Sequence, residues 1–577
     1  MKLTEEQTAI VQSEGNIKIN AVAGSGKTTT LLAYAQARPQ QKILYLAFNR
    51  SVKLEAIRKF GESDCHHVEI ETAHSLAYRA VVRGSRFRIQ QNDLTTYQIK
   101  EILNLKPKGE ALSEYVLAGH ISRCMRLFCN SSESKVQQLD YLATVSGDEA
   151  YEFVKKHYDE IIHQTRLLLA KMNRGEVDIT HDFYLKKFQL HEPILPYDCI
   201  LFDEGQDASP AMLDIFLRQD HAIRVIVGDT HQQIYRWRFA INSLEQVDSF
   251  KDYYLTQSFR LNTHLSKLAE AVIHYKFLFA SNLNINIAGV GKHRNTKVKA
   301  TIGRTNLALL VKAIDMLVEN GEIENVYFEG NFSSYTYAQD GGSIYDVLSL
   351  YNDYKQGIRD KLIRSMPNMD ALETYAEKTD DTELKTIIEI VKKYGRKLPY
   401  LMKELKQRHL ADSDKSKADM IFSTVHRCKG MEYDEVTLLD DFITEDSIEK
   451  LFREEGMVVA DNLTEEINLL YVAVTRSKNK LRIAEKLLPK GFDVPPTHHI
   501  QVMRPPKVSK KENKPTAVPQ FRKSQPTYAN KRWTEKEENE LVAMFNSGTS
   551  IEDIASYFER TKSAVYFRLK KLGVIYD

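Results

Sequence analysis

The chain has 577 residues, 42% of them hydrophobic and 27% charged, and a net charge of +2, enough apolar material for several cores and, by length, about four domains. It lacks the run of about 18 apolar residues that a membrane span needs, and its polar start, Met1 to Gln7, lacks the apolar core of a signal peptide. Five scattered cysteines (Cys65, Cys124, Cys129, Cys199, Cys428) suit neither a disulfide framework nor a zinc site, Cys65-His66-His67 having no second pair at ligand spacing, so a reducing, cytoplasmic setting is expected.

Thr4-Glu5-Glu6-Gln7 opens a first helix, and Gln7 has the amide to pair with both a donor and an acceptor on an adenine edge. Ile17 to Ala21 reads as a short strand and Thr28 to Ala37 as a helix, with Ala21-Val-Ala-Gly-Ser-Gly-Lys-Thr-Thr-Thr30 between and into them. Strand, glycine loop and helix make a phosphate cradle. Gly24 and Gly26 let successive N–H groups face one anion, Lys27 reaches the β- and γ-phosphates, and Thr28 offers a hydroxyl to Mg²⁺. Ala21 stands where the pattern usually begins with Gly.

Lys42 to Phe48 and Val68 to Thr72 are further strands, leading into Asn49-Arg50-Ser51 and Ala73-His74-Ser75, and strands alternating with helices point to an α/β fold on a parallel sheet. From about Tyr78 to Thr180 the chain is helical and charged, as an insertion would be. Tyr197 to Phe202 returns to strand and runs into Asp203-Glu204-Gly205-Gln206-Asp207, where Asp203 can hold Mg²⁺ and Glu204 can orient or deprotonate water. After the strand Ile223 to Gly228 come the polar sensor candidate Gln232 and the run Tyr235-Arg236-Trp237-Arg238, aromatic faces for bases interleaved with arginines for phosphates. In Gln257-Ser258-Phe259-Arg260, Phe259 can stack on adenine and Arg260 can act as an arginine finger.

Ala300 to Asn306 is a strand and turn, Phe328 to Asp414 a second helical insertion, and Met420 to Val425 and Val436 to Asp440 are strands flanking His426 to Tyr433. Asn468 to Lys478 reads as an apolar helix ending near Arg476, an arginine that a second domain could deliver on closure. Gln501 to Arg532 is a basic Pro-, Lys- and Ser-rich linker. Helices near Glu535–Asn546, Ile551–Phe558 and Thr561–Leu572 follow, with a Thr534/Glu537 capping box and Gly548 in the first turn. The third carries Arg568 and Lys570, as a DNA-reading helix would; a protein-binding bundle is the alternative. Between Gln501 and Asp577 there are 15 Lys and Arg against 9 Asp and Glu, a net of +6 that leaves −4 for the rest and suits polyanion contact.

Taken in order, these motifs resemble those of superfamily 1 helicases of the UvrD/Rep class, and most of all the F-box DNA helicase group, from Leu3 to about Arg482. No F-box-like segment precedes Leu3, so a ubiquitin-ligase role is not implied. The resemblance implies an α/β fold of two RecA-like P-loop domains with helical insertions around ATP and Mg²⁺, to which the helices after Arg532 add a small all-α C-terminal domain. The expected organisation is domain 1A at 1–77 and 181–250, insertion 1B at 78–180, domain 2A at 251–327 and 415–490, a reduced insertion 2B at 328–414, a linker at 491–532 and a Myb-like helix-turn-helix unit at 533–577.

The resemblance also assigns roles. Ala23, Gly24, Ser25, Gly26, Lys27, Thr28 and Thr29 would hold phosphates, Gln7 and Phe259 adenine, and Gly430 and Glu432 the ribose side. Lys27, Thr28, Asp203 and Glu204 would run the Mg²⁺–ATP chemistry, with Gln232, Arg260 and Arg476 on the γ-phosphate. Phe48, Asn49, Thr72, His74, Tyr235, Trp237, Arg238, Thr424 and His426 would line a single-strand path. Gly205 replaces a usual Ala, a change expected to be harmless, and Phe239 replaces a usual Gly, which should alter the local shape of the DNA channel. The implied activity is a 3′→5′ ATP-dependent DNA helicase of repair, recombination or replication, acting on single strands and duplex junctions as a monomer or weak oligomer. A protein-stripping translocase and an ATP-gated recruitment module, with residues 501–577 as a partner-binding tail, are the alternatives.

Overall fold

The computed structural model describes residues 2–90, 93–107, 112–145, 147–280, 285–293, 295–336, 342–504, 533–546, 549, 551–558, 560, 562–572 and 574. They fall in two compact units, Met1–Arg504 and Pro505–Asp577.

The first unit is built on two parallel sheets. The first comprises β1 (Ile17–Ala21), β2 (Ile43–Ala47), β3 (Val68–Thr72), β4 (Cys199–Phe202), β5 (Ile223–Gly228) and β6 (Lys251–Leu255), in the order β3-β2-β4-β5-β1-β6. Every residue of β2 and β4 is buried, which is why both read as unbroken apolar runs rather than as alternating ones. Register pairs Leu46 with Phe202, Phe202 with Ile226, and Ile19 with Val227. The chain therefore leaves β1, β2, β4 and β5 at one carboxyl edge, where open parallel sheets bind ligands.

A short pair, β7 (Gln257–Ser258) and β8 (Ala288–Gly289), leads to the second sheet. That sheet comprises β9 (Lys299–Gly303), β10 (Val326–Phe328), β11 (Met420–Thr424), β12 (Tyr433–Leu438), β13 (Ser477–Ala484) and β14 (Ile500–Met503), in the order β10-β11-β9-β12-β13-β14. Two expected boundaries shift. β6 pairs with β1, so the first sheet continues past residue 250, and β14 pairs with β13, so the second sheet continues into the stretch read as linker. Both are edge strands: β6, Lys-Asp-Tyr-Tyr-Leu, is largely exposed and polar, and β14, Ile-Gln-Val-Met, is four residues long with one residue buried, so neither gives the long apolar run that marks an inner strand.

The first insertion is helical: Thr96–Leu103, Ser113–Asn130 and Asp148–Arg174, followed by His181–Leu190, whose N-cap is Thr180. The second contains Ile344–Tyr351, Lys361–Ser365, Met369–Lys378, Thr382–Tyr394 and Leu398–Gln407. One hydrophobic cluster runs through both insertions, joined by polar contacts such as His120 Nε2 with the Lys378 carbonyl at 3.0 Å.

The second unit contains helices Glu535–Asn546, Ile551–Tyr557 and Lys562–Lys571 around Leu541, Ile554, Ala555, Val565 and Leu569. The Thr534/Glu537 capping box forms, with Thr534 N–H donating to Glu537 at 2.7 Å. Gly548 and the linker from 505 to 532 lie outside the described residues.

Candidate nucleotide cleft and nucleic-acid path

β1 delivers the glycine loop, and Gly24 and Gly26 take positive φ of 73° and 82°. Gly26 is the N-cap of helix Lys27–Gln36 and brings no side chain to cap it, so the first-turn N–H groups, with Thr28 and Thr29 among them, are left for an anion. A Cβ on Gly24 would lie 2.4 Å from Arg260 Cβ, and one on Gly26 would lie 3.1 Å from Gln7 Nε2 and 3.8 Å from the Phe259 ring. Gln7 and Phe259 thus flank the loop. Gln7 is buried and held by a capping box, Thr4 N–H donating to its Oε1 at 3.1 Å. Phe259 is 44% exposed, a free face for a planar ring. Among the described residues Ser25 Oγ is buried without a partner, a donor that a phosphate oxygen would satisfy.

Asp203 follows β4, is buried, and accepts hydrogen bonds from the Tyr45 hydroxyl and from Glu204 N–H at 2.9 Å. Glu204 has a left-handed backbone, φ 55°, where the strand turns into the short 3₁₀ helix Gly205–Asp207. Its Oε2 accepts from Lys27 Nζ and from Gln206 Nε2, both at 2.6 Å. Burial and the adjoining Glu204 charge push Asp203 up. Burial is outweighed at Glu204, where Lys27 and Lys429 hold the carboxyl below its ordinary range. Burial likewise opposes the Lys27 charge, but Glu204, Asp203 and Asp229 raise its pKa overall. Among the described residues no three His, Cys, Asp or Glu side chains converge as metal ligands. The Thr28 hydroxyl and the Asp203 carboxylate instead offer the sparse oxygen set that suits Mg²⁺, which keeps waters and phosphate oxygens as its other ligands.

The second sheet contributes the facing wall. Arg260 Nη2 contacts Glu432 Oε1 at 2.7 Å, and its Nη1 donates to the Thr475 carbonyl at 3.3 Å. Arg476 lies just past helix Ala460–Val474, is 1% exposed, and donates to Gln232 Oε1 at 3.3 Å and to Thr475 Oγ1 at 3.0 Å. Burial first, and the Arg260 charge second, push Arg476 down to about 10. Two guanidiniums close enough to oppose each other's charge, one of them packed against Gly24 of the loop, suit an anion. Gly430, with φ 84°, is exposed two residues before Glu432.

Gln232 donates to Asp229 Oδ2 at 2.7 Å, and the chain then leads into an aromatic cluster. Phe48 and Tyr235 are stacked with centroids 6.1 Å apart, Trp237 meets Tyr235 at 6.5 Å and His426 at 6.2 Å, and the Arg238 guanidinium lies 4.5 Å over Trp237. Trp237 is 46% exposed. Burial and neighbouring cations, Arg304 foremost, push His426 down to about 3, so it presents a neutral ring. Asn49 and Thr72 cap the helices Arg50–Gly61 and Ala73–Ala77 through their side-chain oxygens. His74 Nε2 sits 3.7 Å from Asp182, and Thr424 is buried at the end of β11. Phe239 takes φ 63° at the end of the 3₁₀ turn Arg236–Arg238. The backbone thus holds the left-handed form that a glycine there would adopt freely. In the second unit Arg568 pairs with Glu538, while Lys570 is exposed.

Several cleft residues lie within or beside the motifs but have no role assigned from the sequence. Lys429 pairs with Asp207, donates to the Gln232 carbonyl at 2.6 Å and lies 5.0 Å over the Tyr235 ring. Glu6 accepts from Thr256 N–H at 2.9 Å and from its hydroxyl at 2.6 Å, tying the first helix to the segment that carries Phe259. The Tyr471 hydroxyl accepts from Ala23 N–H at 3.4 Å and donates to Asp229 Oδ2 at 3.1 Å, joining the phosphate loop to the second domain.

Residues 3–252 match the UvrD/REP helicase N-terminal domain, and residues 348–486 match the UvrD-like helicase C-terminal domain. The F-box DNA helicase 1 of Gallus gallus is 29% identical over 520 residues, 84% of this chain and 49% of that protein. The F-box DNA helicase protein 1 of Schizosaccharomyces pombe is 28% identical over 525 residues, 83% of this chain and 57% of that protein. The ATP-dependent DNA helicase PcrA of Staphylococcus aureus is 27% identical over 308 residues, 47% of this chain and 39% of that protein. The chain spans about half the length of the F-box helicases it matches. Both halves of the domain pair are present, each on its own parallel sheet beside one glycine loop, and the chain belongs to the UvrD-like helicase family.

Proposed function

We propose that this chain is an ATP-dependent DNA helicase that moves 3′→5′ along single-stranded DNA and separates duplex at junctions, in repair or recombination. One observation carries the reading: Arg476 of the second domain contacts Gln232, and three residues on the same segment presents Tyr235 to Phe48 and, with Trp237, to His426. Hydrolysis and base stacking would thus share one short loop.

In this reading the glycine loop and Lys27 hold the phosphates, and Gln7 and Phe259 hold adenine. Glu204 takes the proton of the attacking water, while Arg260 and Arg476 neutralise the charge that develops on the transferring phosphoryl oxygens. Mg²⁺, held at Thr28 and Asp203, would supply further charge neutralisation. Loss of the γ-phosphate removes the anion between the two domains, so the cleft relaxes and the aromatic platform shifts along the strand. Arg568 and Lys570 of the C-terminal unit would add contact to duplex or to a partner.

The test is ATP hydrolysis with and without oligo(dT), for wild type and Lys27→Ala, and then unwinding of duplexes with 3′ or 5′ tails. Hydrolysis stimulated by DNA, lost in the variant, with unwinding from the 3′ tail, is the expected result. Stimulation without unwinding would turn the reading into a translocase, and absence of stimulation would overturn it.

A further inference from the structure

Lys276 is a buried lysine with an unusual set of partners. It lies in the 3₁₀ segment His274–Leu278 of the second domain and is 3% exposed. Its Nζ donates to Asn468 Oδ1 at 2.6 Å and to His231 Nδ1 at 3.0 Å. Among the described residues it has no ion-pair partner. Burying a lysine that makes no ion pair is costly even with Asp229 and Glu245 favouring its charge, so its place needs a use.

The partners supply one. His231 belongs to the loop between Asp229 and Gln232, and its ring sits edge-on to Tyr471 with centroids 6.0 Å apart. Asn468 turns its Nδ2 to the Gln233 carbonyl at 2.8 Å. Lys276 therefore grips the loop at two points: His231 directly and Gln233 through Asn468. The same loop is held by Tyr471 at Asp229, by Arg476 at the Gln232 side chain and by Lys429 at the Gln232 carbonyl. Unlike Arg476 and Lys429, Lys276 touches none of the groups assigned to nucleotide or strand. Its contacts join the loop of the first domain to the second domain alone.

We propose that Lys276 is a positioning residue that clamps the loop 229–233 to the second domain and so transmits nucleotide state to the aromatic path. This rests on the motor reading above. When the domains separate, Lys276 and Asn468 stay together on the second domain and the loop loses two of its anchors at once. When they close, His231 meets Lys276 and the Gln233 carbonyl meets Asn468, which fixes Gln232 in line with Arg476.

The experiment measures the affinity of fluorescein-labelled oligo(dT) with and without a non-hydrolysable ATP analogue, together with DNA-stimulated turnover, in the full chain. In wild type the analogue is expected to change oligo(dT) affinity by about 5-fold or more, the usual scale of coupling between sites. In Lys276→Met that ratio is expected to fall towards unity, with kcat reduced about 10-fold and KM for ATP changed by less than about 2-fold. Asn468→Ala, which keeps the lysine and cuts the link to Gln233, is expected to lower the ratio as well and serves if Lys276→Met does not fold. A coupling ratio equal to wild type in the folded variants would overturn the inference. A wild-type chain whose DNA affinity and hydrolysis ignore each other would instead overturn the motor reading, and the clamp with it.

Discussion

Lys27 Nζ lies 2.6 Å from Glu204 Oε2, so the ammonium suited to hold phosphate and the carboxylate suited to orient water are bound to each other. Nucleotide entry must exchange that pair for a Lys27–phosphate contact and leave Glu204 free for water. Glu204→Gln should therefore split binding from chemistry. Turnover falls about 10²–10⁴-fold, the scale of a lost general base, while equilibrium binding of a fluorescent ATP analogue is retained or tightened because the phosphates lose their competitor for Lys27. Lys27→Ala should lose both. An E204Q protein that binds the analogue more weakly than wild type would show that the pair assists nucleotide binding rather than opposing it.

Gly205 and Ile226 form a second dependent pair. A Cβ on Gly205 would come within 2.6 Å of Ile226 Cγ1 and 2.7 Å of its Cδ1. The change from the usual Ala, which looked neutral in sequence, is matched by a large neighbour on β5. Gly205→Ala should cost about 1–3 kcal/mol through overpacking. Adding Ile226→Val should return part of that loss, although Ile226→Val alone destabilises by about 0.5–1.5 kcal/mol. Thermal unfolding of the two single variants and the double variant reads the coupling directly; strict additivity would refute it.

Phe239 offers a third test. Its φ of 63° puts a bulky side chain in the left-handed region, which costs an L-residue about 1–2 kcal/mol. Phe239→Gly keeps the turn and removes the strain, so it should raise thermal stability modestly, less the extra chain entropy of glycine. Oligo(dT) affinity should stay within about 2-fold of wild type if the backbone alone shapes this corner. A larger loss would make the Phe239 ring itself part of the strand path.

What the sequence disclosed and what it hid follow one physical division. The glycine loop, the Asp203-Glu204 pair and the inner strands were legible because each chemistry is written in contiguous residues: a positive-φ glycine beside a lysine, or an apolar run ending in acids. β6 and β14 were not: β6 is an edge strand with polar residues facing solvent, and β14 is only four residues long, too short for a pattern. Asn468, Lys276 and His231 were hidden for another reason. Each is an ordinary polar residue in its own segment; the fold of the second domain brings Lys276 to Asn468, and the packing of the two domains brings His231 to Lys276. Arg568 shows the converse: its charge suggested an outward role, yet it pairs with Glu538 of a neighbouring helix.

Lys276 also gives a prediction that needs no DNA. Burial pushes its pKa down to about 7, with Asp229 and Glu245 as the acids that raise it and His231 as its ring partner. Unfolded, a lysine titrates near about 10.4. Between those values the unfolded chain binds the extra proton and the folded chain does not, so this residue makes stability rise with pH across that window. Below about 7 both states carry the proton, and the full cost of burying the charge is present. Lys276→Met removes the titration. Its melting temperature relative to wild type should therefore be highest at pH 6–7 and should decline steadily towards pH 10, whatever the other groups contribute to both proteins. A difference between the two proteins that does not change with pH would mean that Lys276 keeps its charge in the fold, with Asp229 or Glu245 close enough to compensate it.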